Sequence, residues 1–414
     1  MIRRIQIDNF KSLDGFSLPP AGSPPLANFT CLIGANGSGK STVLQAIDFL
    51  SQLVKGHVPE WLKERGWSPL ELLSQLDTAS GDYITFIVEI KMTSTLPIVW
   101  KFRYSCADLS IAEESIWENN QCLLLAKDGW VSLTSSDLEK QLNPKLRFSG
   151  SALSILADEG LHPSLQLLKQ LFGKHVANFE LVSTFNLKQD SYPSREIGSR
   201  GENLPGFIHE ISEGIRERVF ARIREFYPSA RGFQRHKTEN GLVQFSLFEE
   251  HMRLISPEGA GYSNGISSRH FSDGFARILA IVAQIESSAT PGTVNAQDQI
   301  LLLDEIENGV HPETMAKLVE YLAEAPVQVI ATTHSPMILN YLTDEQAGRS
   351  VQFLYRDSWG RTRSRRYFDL PSAKMKLGIL GPGEVYVDTS IGQLAREAEE
   401  MERGASAQAG APAQ

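Results

Sequence analysis

The sequence predicts an α/β protein: a P-loop nucleotide-binding head with a mixed sheet, a flanking antiparallel sheet and an inserted helical lobe. Three observations lead to this fold class. The apolar strand Phe29–Ile33 precedes a glycine-rich loop and an amphipathic helix. A second apolar strand, Ile300–Leu303, ends in two acids. Between them, residues 83–133 alternate apolar and polar side chains, as antiparallel strands do.

The composition bounds the class of protein. The chain has 414 residues, of which 42% are hydrophobic and 21% are charged, and its formal net charge is -9. This charge argues against a wholly basic nucleic-acid binder but leaves room for a local basic patch. Cys31, Cys106 and Cys122 share no metal-ligand spacing, which fits a reducing compartment. Since neither a signal sequence nor a membrane-spanning run is evident, we expect a cytoplasmic protein without a membrane partner.

Changes of pattern along the chain predict five parts. They are the first half of the nucleotide-binding head (1–137), a mainly helical insert (138–235), the second half of the head (236–345), a small C-terminal extension (346–394) and a disordered tail (395–414). The tail is predicted to be disordered because its end is rich in Ala, Gly, Gln and Pro.

The segment GANGSGKS, residues 34–41, matches the phosphate-binding pattern G-x-x-x-x-G-K-[ST] at every fixed position. Its glycines let successive N–H groups turn toward phosphate oxygens, and the start of the following helix adds a positive field. Lys40 is predicted to reach the β- and γ-phosphates, and the Ser41 hydroxyl to bind Mg²⁺. The predicted nucleotide contacts in this segment are Gly34, Asn36, Gly37, Ser38, Gly39, Lys40, Ser41 and Thr42. The sequence therefore predicts binding of a nucleoside triphosphate.

Shorter elements surround this loop. Strands are predicted at 1–8 and around 16–18, and Lys11 and Ser12 between them fit either a nucleotide contact or an exposed turn. Strands at 83–91, 98–106 and 121–133 form the predicted antiparallel sheet, with a hairpin turn at 127–129. The insert contains predicted helices at 164–172 and 208–226 around a strand at 179–185. Gln189 is a candidate for contact with Mg²⁺ or the attacking water, and a hairpin of 242–248 with 251–256 follows.

Ser272, Asp273 and Gly274 open a predicted helix, because apolar residues follow them at helical spacing. Two interpretations are open at this point. Ser272 or Asp273 caps the helix, or the helix start with its small glycine accepts an anion.

Two acids follow the strand Ile300–Leu303, at the end where open α/β sheets bind ligands. Asp304 is predicted to hold Mg²⁺, and Glu305 to act as the general base on the attacking water. A further apolar strand, at 327–333, leads to His334. We interpret His334 as a hydrogen-bond donor to the γ-phosphate.

The order of these motifs resembles the ABC-type ATPases of the recombination, repair and phage-defence lineage, which include SMC heads, RecF-like proteins and OLD nucleases. The resemblance rests on NFKSL, GANGSGKS, FSDGFARIL, ILLLDEIENGVHP and ATTHSP, and it covers roughly residues 1–345. It implies a head-to-tail dimer around ATP, in which Ser272 and Gly274 of one subunit close on the ATP held by Lys40 of the other. It also implies that Asn308 and Gly309 lie at the subunit interface.

The C-terminal part departs from the OLD pattern. An OLD protein would carry a metal-dependent nuclease domain past Ser335, and no clustered carboxylates of that kind follow here. Strands are predicted at 351–355 and 365–370 around a turn at 356–360. Alternating arginines in this part fit a face that binds DNA or a partner, or a solvated edge strand; they are Arg361, Arg363, Arg365 and Arg366. A second basic group fits a surface for nucleic acid; it comprises Arg195, Arg200, Arg231, Arg235, His236 and Lys237.

Together these observations predict an ATPase that uses ATP and Mg²⁺ and acts as a switch for a separate effector, a nuclease or toxin, in bacterial antiphage defence. Two other hypotheses stay open. One is a DNA-repair ATPase that clamps DNA, and the other is a scaffold in which unhydrolysed ATP holds a dimer together. The expected partners are a second copy of this chain, in a dimer or a higher oligomer, an effector protein and, under the repair hypothesis, DNA.

Overall fold

The computed structural model describes residues 1–76, 81–134, 139–142, 149–250, 252, 265–288 and 298–409, which form a mixed α/β fold with three sheets. The predicted fold class is confirmed. The strands are β1 (Ile2–Asp8), β2 (Phe16–Leu18), β3 (Phe29–Ile33), β4 (Tyr83–Ile90), β5 (Ile98–Ser105), β6 (Ser110–Glu118), β7 (Gln121–Lys127), β8 (Trp130–Thr134), β9 (Glu139–Leu142), β10 (Val176–Asn178), β11 (Ala230–Lys237), β12 (Val243–Glu249), β13 (Ile266–Ser267), β14 (Ile300–Leu303), β15 (Gln328–Thr332), β16 (Val351–Arg356) and β17 (Thr362–Arg366). The helices are α1 (Lys40–Lys55), α2 (Val58–Arg65), α3 (Pro163–Lys174), α4 (Thr184–Leu187), α5 (Leu204–Glu210), α6 (Glu213–Phe226), α7 (Asp273–Ser288), α8 (Pro312–Ala323), α9 (Pro336–Leu339), α10 (Asp344–Ser350), α11 (Pro371–Leu377), α12 (Pro382–Val387) and α13 (Ile391–Ala409).

The central sheet has the strand order β10-β14-β15-β3-β16-β17. Its first five strands are parallel and β17 runs antiparallel to β16. Every residue of β3, β14 and β15 is buried, which fits their mainly apolar sequences without alternation between apolar and polar side chains. Because they are parallel neighbours, the loops that follow them meet at one edge of the sheet.

The second sheet contains β1, β2 and β4 to β9, all antiparallel. It confirms the strands predicted at 83–91, 98–106 and 121–133, and it adds β6, whose several acids obscure the apolar alternation. Helix α1 packs on this sheet through Phe49, whose ring lies 5.8 Å from that of Phe10 and 5.1 Å from that of Tyr104. The sheet therefore supports the helix that begins at the phosphate-binding segment.

The insert differs from the prediction in three places, and the first is β9, a strand at 139–142 that pairs with β8 of the second sheet. The strand predicted at 179–185 is wrong: β10 ends at Asn178, whose Oδ1 accepts the backbone N–H of Glu180 at 2.9 Å and turns the chain out of the sheet. The helix predicted at 208–226 is two helices, α5 and α6, because Ser212 lies between them in an extended conformation. In the third sheet, β12 pairs with β11 and β13. Residue 251 and residues 253–264, which include most of the predicted hairpin partner and of the loop after it, lie outside the described residues.

The C-terminal part is joined to the central sheet. Strand β16 pairs with β3 and β17 pairs with β16, so the predicted extension supplies two strands to the sheet that carries the phosphate-binding segment. The second strand predicted here, 365–370, lies instead at Thr362–Arg366, followed by a short 3₁₀ turn at Tyr367–Asp369. The tail predicted to be disordered is helical up to Ala409 within α13, and Leu394 and Ala398 are buried in the core. Within the described ranges, no helix combines the length and apolar character needed to cross a bilayer.

Candidate nucleotide-binding site

The phosphate-binding segment lies between β3 and α1, as its motif requires. Gly34 (φ 148°) and Gly39 (φ 102°) adopt backbone conformations that side chains strongly disfavour. A Cβ on Gly34 would lie 2.1 Å from the carbonyl oxygen of Leu354, and one on Gly39 would lie 2.3 Å from Thr362 Oγ1. These glycines therefore let β16 and β17 pack directly against the loop.

Two side chains from β16 and β17 also hold the loop. Thr362 Oγ1 donates to the carbonyl oxygen of Ser38 at 3.0 Å, and Arg356 Nε donates to that of Gly37 at 2.8 Å. Sequence reasoning missed both residues, because they are 324 and 319 positions away from their partners and belong to no motif. No local signal was available to find them.

Lys40 is buried beneath the loop. Its Nζ donates hydrogen bonds to the carbonyl oxygens of Gly34 and Ala35, each at 3.0 Å. Burial lowers the pKa of Lys40, while the charges of nearby carboxylates oppose that shift. The loop thus contains a poorly hydrated cation, which polyphosphate oxygens would stabilise better than neutral carbonyl groups do.

The other predicted phosphate contacts line the same loop. Asn36 and Gly37 are exposed, Ser38 is buried, and Ser41 and Thr42 are half-buried. The hydroxyl oxygen of Ser38 is buried and has no hydrogen-bond partner within the described part of the chain. Since buried polar atoms are normally satisfied, a phosphate oxygen is a fitting partner, and the loop suits the group that its motif predicts.

The predicted magnesium ligands meet beside this loop. Ser41 Oγ donates to Asp304 Oδ1 at 3.3 Å, and Thr332 Oγ1 donates to the same oxygen at 2.5 Å. Hydroxyl and carboxylate oxygens are ligands that Mg²⁺ accepts when phosphates and water complete its shell. No cluster of three or more His, Cys, Asp and Glu side chains suited to a metal is found among the described residues. Ser41 and Asp304 supply oxygens of this kind, so they fit a Mg²⁺ ion whose other ligands are phosphates and water.

Glu305 follows Asp304 in a strained backbone conformation. Its φ is 48°, in the left-handed region that side chains disfavour. The Glu305 N–H donates to Thr332 Oγ1 at 2.8 Å, and Asn308 Nδ2 donates to the Glu305 carboxylate at 2.5 Å. His334 Nε2 lies 3.8 Å from Glu305 Oε1. Strain that the surroundings hold in place is typical of functional positions, and here it accompanies two predicted catalytic side chains that lie together.

Two charged residues that sequence reasoning did not assign also approach the site. Arg277 on α7 donates from Nη2 to the carbonyl oxygen of Asp304 at 2.5 Å. Burial lowers the pKa of Arg277, and the negative charge of Glu307 opposes this shift. Glu307 Oε1 accepts the backbone N–H of His334 at 2.6 Å. The acidic segment after β14 was a signal for Glu307, whereas Arg277 carries no signal beyond its place in a helix.

Ser272, Asp273 and Gly274, which we call the signature, lie at the start of α7, as predicted. Ser272 Oγ accepts a backbone N–H of the first helical turn at 3.2 Å, so it caps the helix, and Asp273 forms an ion pair with Lys188. A Cβ on Gly274 would lie 2.3 Å from the carbonyl oxygen of Gly309. Within one chain the signature therefore contacts the turn after β14, and its contact with a nucleotide stays a prediction.

The role considered for Gln189 stays a prediction. Its Nε2 donates to a carbonyl oxygen of its own segment at 3.2 Å. Glu180, two residues after β10, instead accepts hydrogen bonds from Gln45 at 2.5 Å and from Arg65 at 2.7 Å. Burial raises the pKa of Glu180, and the charge of Asp304 acts in the same direction. The early end of β10 thus leaves Glu180 in the turn after the strand, beside Gln45 and Arg65.

Lys11 and Ser12 do not form an exposed turn. Ser12 is buried, with its Oγ 2.8 Å from Thr362 Oγ1. Lys11 Nζ donates to Gln45 Oε1 at 2.9 Å and lies 3.2 Å from the centroid of the Trp67 ring. Burial lowers the pKa of Lys11 to about 8, and the residue lines a cavity of about 500 Å³. Both residues thus border the phosphate-binding segment through β17 and α1.

Two of the arginines at 361–366 are engaged within the chain rather than on an open face for DNA or a partner. Arg363 is buried, donates to the carbonyl oxygen of Asp14 at 2.6 Å and pairs with Asp357 at 3.3 Å. Arg361 pairs with the same carboxylate at 2.8 Å. Arg231, from the second basic group, also forms an ion pair with a neighbouring glutamate. Internal ion pairs therefore occupy two of the four charges, those of Arg361 and Arg363.

Comparison with known proteins adds two family matches and a relative. Residues 123–340, a little over half of the chain, match the family described as "AAA domain, putative AbiEii toxin, Type IV TA system". Residues 1–180 match a family described as an AAA ATPase domain. An OLD nuclease from Thermus scotoductus is 32% identical over 106 residues, which are 26% of this chain and 18% of that protein. The chain therefore matches less than a fifth of that relative's length.

A solved structure shares the fold. The SMC head in a complex with the C-winged helix domain of ScpA aligns with a TM-score of 0.52, over 88% of this chain and 96% of that chain. The sequence identity is 14%, so the likeness shows the fold alone.

Proposed function

We propose that this chain, which belongs to the AAA-domain family matched over residues 123–340, hydrolyses ATP and uses the cycle as a conformational switch. Its resemblance to SMC- and OLD-like ATPases is confirmed by the family matches, the OLD relative and the SMC-head fold. One observation supports hydrolysis best. Five predicted site residues converge at the edge of the central sheet, and they are Lys40, Ser41, Asp304, Glu305 and His334.

The chemistry follows from these positions. Lys40 and the backbone N–H groups of the loop would bind the phosphates, and Ser41 and Asp304 would hold a Mg²⁺ ion, which would supply positive charge to phosphate oxygens. Glu305 orients the attacking water and accepts its proton. His334 donates a hydrogen bond to the γ-phosphate, where negative charge is redistributed during transfer.

The dimer and the effector are further parts of the proposal. Each site takes Lys40 from one chain and Ser272 with Gly274 from a second chain, since Ser272 is exposed at the start of α7 and helix starts stabilise phosphate. The family description names a toxin, and the OLD relative is a nuclease. We therefore propose a nuclease or toxin as the effector, in bacterial antiphage defence.

Phosphate release by the wild type and by Glu305→Gln tests the catalytic proposal. The variant should bind ATP and Mg²⁺ but release phosphate ~10²–10⁴ times more slowly, because removal of a general base spares ground-state binding. It should also accumulate as an ATP-bound dimer in light-scattering measurements. Glu313→Gln, at an exposed position on α8, is the matched control.

Three results would redirect the proposal. Turnover of Glu305→Gln within about twofold of the wild type would remove Glu305 from the role of base. A wild type that binds ATP and dimerises without releasing phosphate would establish the scaffold hypothesis. For the effector, the Glu305→Gln protein should co-purify a nuclease or toxin from its native host, whereas DNA-stimulated hydrolysis without a protein partner would favour DNA repair.

A further inference from the structure

We propose that Glu307 is a positioning residue, which joins the loop after β14 to the loop after β15 and thereby holds His334 in place for ATP hydrolysis. This inference rests on the proposed function, because the role concerns the same site. It assigns a separate task to the second glutamate of the segment that also carries Glu305.

Hydrogen bonds between the two loops show how the connection is built. The N–H of Glu305 donates to Thr332 Oγ1 at 2.8 Å, and that of Ile306 donates to the carbonyl oxygen of Thr332 at 3.1 Å. Both therefore end on the last residue of β15. The carboxylate of Glu307 extends the connection two residues further, since its Oε1 accepts the N–H of His334 at 2.6 Å.

The neighbours of His334 are anchored to other groups. The N–H of Thr333 donates to the carbonyl oxygen of Leu32 at 3.2 Å, and the N–H of Ser335 donates to Thr333 Oγ1 at 2.9 Å. The His334 backbone thus depends on the Glu307 side chain for its acceptor. Without that acceptor, the loop gains freedom at the residue whose imidazole lies 3.8 Å from Glu305.

The second carboxylate oxygen of Glu307 indicates that its charge also matters. Oε2 is buried and has no hydrogen-bond partner among the described residues, which is costly for a charged group. Two cations of the site lie within its electrostatic reach. Burial lowers the pKa values of Arg277 and Lys40, and the negative charge of Glu307 opposes both shifts. A glutamine at 307 would keep the acceptor for His334 but remove this charge, so substitutions can separate the two contributions.

Steady-state hydrolysis by Glu307→Ala and Glu307→Gln is the first measurement. Loss of a hydrogen bond to a charged acceptor should lower the kcat of Glu307→Ala by roughly 10- to 100-fold, with the KM for ATP within about twofold of the wild type. Glu307→Gln should recover most of the lost kcat, because its amide oxygen accepts the same N–H. Glu313→Ala, an exposed acid on α8, should match the wild type. If Glu307→Ala does not fold, Glu307→Met, which has similar length but no strong acceptor, replaces it.

A double-mutant cycle with His334→Ala then tests the route of the effect. If Glu307 acts through His334, the double variant should be no slower than His334→Ala alone. Losses that multiply would overturn the inference, as would a Glu307→Ala enzyme with wild-type kcat, a raised KM with unchanged kcat, or no recovery in Glu307→Gln. An inactive wild type would overturn the proposed function and this inference together. If the wild type hydrolyses ATP and the Glu307 variants do not behave as expected, this inference fails while the proposed function stands.

Discussion

The close approach of β16 to the phosphate-binding segment leads to a quantitative prediction for Gly34→Ala. Leu354 belongs to β16, which is paired on one side with β3 and on the other with β17. A Cβ on Gly34 would lie 2.1 Å from the Leu354 carbonyl oxygen and 2.9 Å from Ser38 Oγ. Because the first of these atoms is backbone within a paired strand, it cannot move away without disturbing the central sheet.

Gly37 provides a matched control in the same loop. Its φ is 73°, so alanine there is also strained, but a Cβ would meet nothing within 4 Å. The backbone strain alone should cost Gly37→Ala about 1–2 kcal/mol of unfolding free energy. Overpacking adds about 1–3 kcal/mol at Gly34, which gives an expected total of about 2–5 kcal/mol.

Equilibrium urea unfolding of both variants provides the test, with the m-value checked for constancy. ATP affinity should fall more for Gly34→Ala than for Gly37→Ala, because the clash displaces the N–H groups that face the phosphates. If the two variants differ in unfolding free energy by less than about 0.5 kcal/mol, the reasoning from the Leu354 contact is refuted.

Three other predictions concern charge and assembly. Lys40→Ala should abolish ATP binding measured by calorimetry, because the phosphates lose their main cation, and unaltered affinity would contradict the assigned phosphate site. If each site is shared between two chains, mixing inactive Lys40→Ala and Ser272→Glu proteins should restore roughly a quarter of wild-type activity. Subunit exchange is first shown by tagged pull-down, and single-site activity is established in a linked dimer. With both controls in place, a mixture without activity would exclude shared sites. Ser272 is preferred to Gly274 because a side chain at Gly274 would also clash with Gly309 of its own chain. Burial lowers the pKa of Lys11 from 10.5 to about 8, so between these two pH values the unfolded chain binds more protons than the folded chain. The wild type should therefore gain stability relative to Lys11→Met as the pH rises from 8 to 10.5. A difference in urea midpoint that does not change with pH would contradict this prediction.

Several features of the fold could be predicted because they depend on residues close together in the chain. The apolar run of β3, the glycines after it and the helix that begins at Lys40 form one continuous segment. The strands of the second sheet alternate visibly, and the acids after β14 mark the end of a buried strand. Parallel strands place such ends at one edge, so the meeting of Ser41 with Asp304 followed from the order of motifs.

Element limits were less predictable where one polar residue decides them. Asn178 ends β10 by accepting the N–H of Glu180, and Glu180 then contacts Gln45 of α1. Ser212 separates α5 from α6, although the helical periodicity continues on both sides. Apolar spacing does not show such breaks, because it records which face is buried rather than where the backbone changes direction.

The sequence alone determined which residues are proposed to carry the chemistry, since the phosphate-binding and acidic motifs are local patterns with fixed spacing. Only the tertiary structure decided how those residues are held. Thr362 and Arg356 reach the phosphate-binding segment because β16 pairs with β3, and Glu307 reaches His334 because β14 pairs with β15. It also decided that Arg363 is buried against Asp357 rather than presented to a partner. These contacts depend on the lateral order and register of strands far apart in the chain, and no spacing along the sequence encodes that order.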